Sequence, residues 1–312
     1  MPIIKSVLLA LHLILVNLAA IGPLFCIGLV CQTSSEARQS ARWLAGKCCL
    51  ALFVGMLLGG TIMGLYAFGS EALGGKRFYR ALLAIPHDKL WWGVAELVFY
   101  YLCMLPILFY WKPLLNRRWL IILCCLLAGT NLIYHFTPLF VVVGYLQGTT
   151  ETEPLTKAAL RSLTFSTPVL ARVLHHLLAG VAIVATLLML HSAARAHDGR
   201  SARSEEETGA LDTLTRRFAS VIFIATLLEI PSGVWFLLQL PRGMQHQFLG
   251  GSPLVTIWFA VALLAAMLLL YKSFSVMTGA IRRRDAWQSA GLLLTVILLM
   301  TGLLAFILPR YA

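Results

Sequence analysis

Charge is what this chain has least of. Asp, Glu, Lys and Arg make up 12% of its 312 residues, and only 13 residues are acidic. A soluble domain carries about 25% charged residues, so this composition, with 59% hydrophobic residues, excludes an ordinary soluble protein. Paired-cysteine motifs are missing as well. There are seven cysteines, but no CxxC to hold zinc and no CxxCH to attach a c-type haem covalently. All seven lie in or beside apolar runs, where thiols serve as small packing residues. No internal repeat is evident, and no polar segment is long enough for a separate soluble domain. The net charge of +12 is not a nucleic-acid footprint, because the basic residues sit at the ends of apolar runs.

What is present is apolar length. A helix needs about 20 apolar residues to cross a ~30 Å hydrocarbon core. Eight runs meet that need: roughly 4–30, 45–68, 91–111, 119–146, 168–192, 218–240, 253–275 and 287–308. The expected fold is therefore an all-α integral membrane protein, a single domain over 1–312 with eight transmembrane helices. The first run is too long for a signal-peptide core and lacks a small-residue cleavage site, so it reads as a retained helix. Loops 1–2, 3–4, 5–6 and 7–8 with their helix ends hold 15 of the 25 Lys and Arg residues, including the run Arg282, Arg283, Arg284. The positive-inside rule then puts those loops in the cytoplasm and both termini outward, in a bacterial inner membrane. Trp91, Trp92, Trp111, Trp119 and Trp287 mark helix ends, as an aromatic belt does. Segment 69–90 has room for a short interfacial helix, and 193–217 reads as a mobile mixed-charge loop. Gly55, Gly59, Gly60 and Gly64 have the spacing of a close helix-packing face.

Against that background the ionisable residues inside the runs stand out: His12, Glu96, His135, His175, His176 and Glu229. Such groups are expensive in hydrocarbon and mark function by default. At 1.5 Å per residue, His175 lies roughly 10 Å in from the outer side, His12 roughly 12 Å, and His135 roughly 18 Å, near the midplane. Glu96 is five residues past Trp91. His12, Glu96 and His175 thus form one outer layer with His135 beneath. Neutral imidazole on a transmembrane helix is how b-type haem is held. His175 and His176 point about 100° apart, so one haem does not use both. Arg172 lies one turn outward on the face of His175, in position to meet a haem propionate. The competing reading is that each histidine only hydrogen-bonds to a neighbouring helix. Glu229, just before Pro231, fits a structural role as well as a catalytic one, whereas Glu96 shares the histidine layer.

Four stretches in common order resemble subunit I of cytochrome bd-type quinol oxidases over about residues 1–192. "HLILVNLAAIG" from His12 resembles the family's H-F-L-F-V-P-L-T-L-G run. "ELVFYYLCMLPILFYW" from Glu96 resembles E-S-T-F-x-G-L-F-x-F-G-W. "LAGTNLIYHFTPLFVVVGYLQ" is similar to L-G-S-N-L-S-A-L-W-I-L-V-A-N-G-W-M-Q, with Asn131 and Gln147 matching. "VLHHLLAG" resembles F-V-H-T-V-S-A-G. The resemblance implies a subunit I-like bundle, His12 as ligand of a high-spin haem b, His175 as ligand of a low-spin haem b, and Glu96 at a second haem site. The chain departs from the pattern in its short connection between the sixth and seventh runs. It also lacks a Met at the expected depth of the seventh, although Met244, Met267 and His246 lie in that region. The family has a further Glu shortly before the one matching Glu96; here that region reads HDKLWWG, where Asp88 is the one acidic residue, and His135 has no counterpart among the family's ligands.

The expected function is that of a membrane cytochrome subunit with two or more b haems. It would move electrons between the quinone pool and an outward partner, a c-type cytochrome or another redox subunit. His12 and His175 are the expected iron ligands. His135, His176 and Arg172 are further cofactor-binding candidates, and Glu96 is the catalytic candidate. Haem d is left open. Two other classes compete: a terminal oxidase or gas reductase of the bd type, and a proton-coupled transporter or structural anchor of a redox complex.

Overall fold

The computed structural model describes residues 2–68, 75–147, 153–198, 204–279 and 283–311. Among the described residues, eight long helices are apolar enough to cross a membrane. They are α1 (Pro2–Val30), α2 (Ser35–Phe68), α4 (His87–Phe109), α6 (Arg118–Leu146), α8 (Thr167–Asp198), α9 (Glu205–Leu238), α11 (Pro253–Thr278) and α12 (Arg283–Tyr311). Short helices α3 (Gly75–Leu83), α5 (Trp111–Leu115), α7 (Lys157–Thr164) and α10 (Arg242–His246) sit between them, and a π turn follows α10 over Gln247–Gly251. There are no strands among the described residues. This is an all-α integral membrane bundle, as the apolar runs require: in hydrocarbon a backbone must satisfy its own hydrogen bonds, which a helix does within one segment.

The long helices alternate in direction, so α1, α4, α8 and α11 start at one face, called here the N-terminal face. Helix α1 is the hub and packs against α2, α6, α8 and α12. Its hydrophobic window is more than half buried, the largest share of any span. The main hydrophobic cluster lies in the half away from the N-terminal face. It joins Leu29 of α1, Leu44 of α2, Met104 of α4, Ile121 of α6, Leu188 of α8 and Ile222 of α9. Tyr100 is fully buried there and donates its hydroxyl to the Ala19 carbonyl at 2.9 Å. Five of the seven thiols are buried, and two donate to neighbouring backbone, Cys26 to Ala41 and Cys48 to Leu18. They are free packing residues.

On the N-terminal face, α3 and α7 carry the interfacial layer. Segment 69–90 does form a short helix, Gly75–Leu83; residues 69–74 lie outside those described. Thr156 caps α7 by accepting from the Ala159 amide. The Leu155 amide donates to the Ala84 carbonyl at 2.8 Å, and Lys157 pairs with Asp88 at 2.6 Å. Ile85, Val142, Leu160 and Val169 pack beneath as a separate small cluster.

Two expectations are corrected. Segment 193–217 is mostly helix: α8 runs on to Asp198 and α9 begins at Glu205. A capping box drives the second start. The Ser204 hydroxyl accepts from the Glu207 amide, and the Glu207 carboxylate accepts from the Ser204 amide. Charged residues continue a helix past the apolar boundary because its hydrogen bonds are internal and water tolerates its side chains. Replacing Ser204 by alanine is expected to cost about 1 kcal/mol, read as a lower unfolding midpoint in a denaturant titration. The second correction is Trp111. Trp91, Trp92, Trp119 and Trp287 are exposed at helix ends, but Trp111 is buried, because the chain turns into α5 there and folds the indole back onto the main cluster. Of the arginine run, Arg282 lies outside the described residues.

Candidate functional site

The half of the bundle nearer the N-terminal face carries the ionisable residues. Counted along each helix at ~1.5 Å per residue, His12, Glu96, His135, His175, His176 and Glu229 all lie roughly 12–17 Å from that face. They form one layer, which corrects the expectation that His135 sits beneath the others. Helices α1 and α4 begin earlier than their apolar runs, and this brings Glu96 down to His135. The two side chains meet, His135 Nδ1 to Glu96 Oε1 at 3.1 Å. Asn131, one turn from His135, donates to the Glu96 backbone carbonyl at 3.1 Å and fixes the register of α4 against α6.

The layer divides into an internal group and a lateral one. His12 turns toward α2, where its Nδ1 lies 2.9 Å from the Gly55 carbonyl. A carbonyl only accepts, so Nδ1 carries the proton and Nε2 keeps its lone pair. Gly59 makes room for this ring: a Cβ there would come within 2.9 Å of His12 Cε1. The glycines of α2 are therefore not all alike. Gly55 and Gly59 admit α1 and His12, whereas Gly60 and Gly64 face open space.

His175 turns toward α9. Its Nδ1 lies 3.2 Å from the Ser232 hydroxyl, which in turn donates to the Glu229 carbonyl at 3.0 Å. With its proton so committed, the hydroxyl accepts from Nδ1, which again leaves Nε2 as the lone-pair nitrogen. Gly233 lies against the same ring. Phe236 stacks over it, with centroids 6.2 Å apart. Arg172 lies over the same phenyl ring at 5.5 Å, so it does share the face of His175. Its guanidinium also presses on Gly144 of α6. His176 points elsewhere and has His12, His175 and Arg172 as its charged or chargeable neighbours.

Arg172, His175, His176 and Glu229 are each half-buried.

The lateral group opens away from the bundle. Glu96 and His135 lie in a groove of about 520 Å3 between α4, α6, α7 and α8. Trp92, Phe136 and Phe165 form apolar walls, and Lys89 and Arg161 stand on its rim.

Among the described residues, no three His, Cys, Asp or Glu side chains gather as a bare metal ion requires. Met267 is exposed on the outside of α11, and Met244 is packed with Phe248, Val255 and Leu303. Neither methionine is turned to His175. Ser232 was not evident as a site residue from sequence. Its position directly after Pro231, in the helix that carries Glu229, was the available signal. No protein-family model matches this chain, and no curated protein matches it.

Proposed function

We propose that this chain is a haem b-binding membrane subunit that moves electrons between the quinone pool and a redox partner, such as a c-type cytochrome, at the N-terminal face. The observation that carries this reading is the gathering of His12 of α1 with Arg172, His175 and His176 of α8 at one level of the bundle. The donor set fits haem b. His12 and His175 each have Nδ1 engaged by an oxygen acceptor, the arrangement that aims Nε2 at a metal and fixes its tautomer. Arg172 supplies a cation for a propionate on the same helix face as His175. The resemblance to subunit I of bd-type oxidases over residues 1–192 supports the same two ligands.

Haem b, when bound, supplies one-electron transfer. The residues of the chain do the rest. Ser232 and the Gly55 carbonyl orient the imidazoles. Glu96 and His135, in contact within the groove between α4, α6, α7 and α8, form a carboxyl–imidazole pair able to take up and release a proton. A quinol gives up protons together with its electrons, so such a pair suits a site where quinol is oxidised. Glu96 and His135 would serve there, with His12 and His175 as iron ligands and His176 second to His175.

A reduced-minus-oxidised optical spectrum and a pyridine haemochrome assay on the purified protein test this reading. Sharp b-type bands and at least one haem per chain are expected. A wild-type protein that takes up no haem when expressed with an adequate haem supply overturns it. The layer would then be read as a proton or ion path.

A further inference from the structure

A second polar site lies at the other end of the bundle and has no part in the reading above. A cleft of about 490 Å3 opens between α2, α4 and α8, lined by Arg42, Trp43, Lys47, Leu108, His191 and Arg195. Its walls are built rather than incidental. The Trp43 and His191 rings stack at 3.8 Å, within 10° of parallel. Lys47 Nζ stands 5.6 Å from the centre of the indole. Arg195 is fixed by the carboxylate of Glu36 and the amide oxygen of Gln39. His191 Nε2 is buried and has no hydrogen-bond partner.

The charges do not cancel. Glu36 is matched by Arg195. Among the described residues, no carboxylate pairs with Arg42 or Lys47, and both are exposed. A cleft with two uncompensated cations and an unused imidazole nitrogen selects an anion with several acceptor oxygens. Its depth narrows the choice further. The apolar run of α2 begins near residue 45 and that of α8 ends near 192, so the cleft straddles the boundary between hydrocarbon and head groups. Leu50, more than half exposed, and Leu108 continue it toward the hydrocarbon. Basic pockets between transmembrane helices at this level bind acidic lipid head groups.

We propose that this cleft holds the phosphate of an acidic phospholipid, with the anion against Arg42, Lys47 and His191 and the acyl chains along Leu50 and Leu108. The shared chemistry is a phosphate ester, and the apolar floor identifies the lipid rather than a soluble ester as its source.

The test is native mass spectrometry of the delipidated full chain with phosphatidylglycerol or phosphatidylcholine. Wild type is expected to prefer phosphatidylglycerol. Arg42→Gln and Lys47→Gln should each weaken that lipid about fivefold and leave phosphatidylcholine unchanged. Arg42→Lys and Lys47→Arg should keep the preference, which separates charge from folding. Lys157→Gln, on the opposite face, should have no effect. Equal retention of the two lipids by wild type overturns the proposal, and so does an undiminished preference in the Arg42→Gln, Lys47→Gln double variant. Displacement of phosphatidylglycerol by millimolar glycerol phosphate would identify a soluble ester as the ligand and overturn the lipid assignment.

Discussion

A His175→Ala protein is expected to lose one b-type haem outright while keeping its fold. The imidazole sits where α8 faces α9, with Nδ1 against Ser232 and the ring stacked on Phe236. Nothing else on that face can replace it: Arg172 cannot ligate iron, and His176 points about 100° away. The difference spectrum should lose the bands of the haem held there and retain those of any haem at His12. His176→Ala should leave the His175 haem in place. Ser232→Ala gives a graded version of the same result. The imidazole stays but loses the partner that sets its tautomer, and removing such a partner lowers metal affinity by about 10–100-fold. Full haem content in His175→Ala, with loss in His176→Ala, would transfer the ligand to the neighbouring residue. Full haem content in both would remove α8 from the site.

The largest effect on stability is expected at Gly180. A Cβ there would come within 2.8 Å of Asn17 Oδ1 and 2.9 Å of Ile21 Cγ1, both on α1. Asn17 and Ile21 are buried, so neither can swing aside. Gly180→Leu must therefore push α8 away from α1, the helix against which four others pack. Overpacking a dense core costs about 1–3 kcal/mol, and a leucine at a backbone-to-side-chain contact should reach about 3 kcal/mol. The same displacement separates His12 from His175 and His176, because these helices carry both halves of the internal group. An SDS or thermal unfolding titration should show a large drop in midpoint, with a smaller one for Gly180→Ala. A Gly180→Leu protein as stable as wild type would mean that α1 and α8 do not meet at this point.

The eight spans were legible in the sequence because hydrocarbon thickness imposes length and polarity with little tolerance. The short interfacial helix at Gly75–Leu83 was legible too, between charged and apolar neighbours. The helix ends were harder to read. Apolar periodicity stops at the membrane boundary, but helices such as α8 and α9 continue beyond it on caps and internal hydrogen bonds, so 193–217 looked like a loop. Trp111 looked like a belt residue because a tryptophan near the end of an apolar run carries no mark of the turn that buries it.

The candidate residues show the same division. Their types were evident from composition alone: a histidine or glutamate in an apolar run is costly wherever it points. Their partners were not. Whether His135 lies beneath Glu96 or beside it depends on where α4 and α6 start and how they slide past each other, and Asn131 settles that register by bonding across to the Glu96 carbonyl. Whether Gly59 is packing surface or a seat for an imidazole depends on the rotation of α1 against α2. The sequence by itself determined an eight-helix membrane chain with its ionisable groups gathered toward one side, because burial of polar groups in lipid is a local cost carried by each segment. Only the tertiary structure decided which of those groups meet and which nitrogen of His12 and His175 is engaged. It alone also turned Arg42, Trp43, Lys47 and His191 into a cleft. Contacts between helices depend on register and rotation, which no single segment encodes.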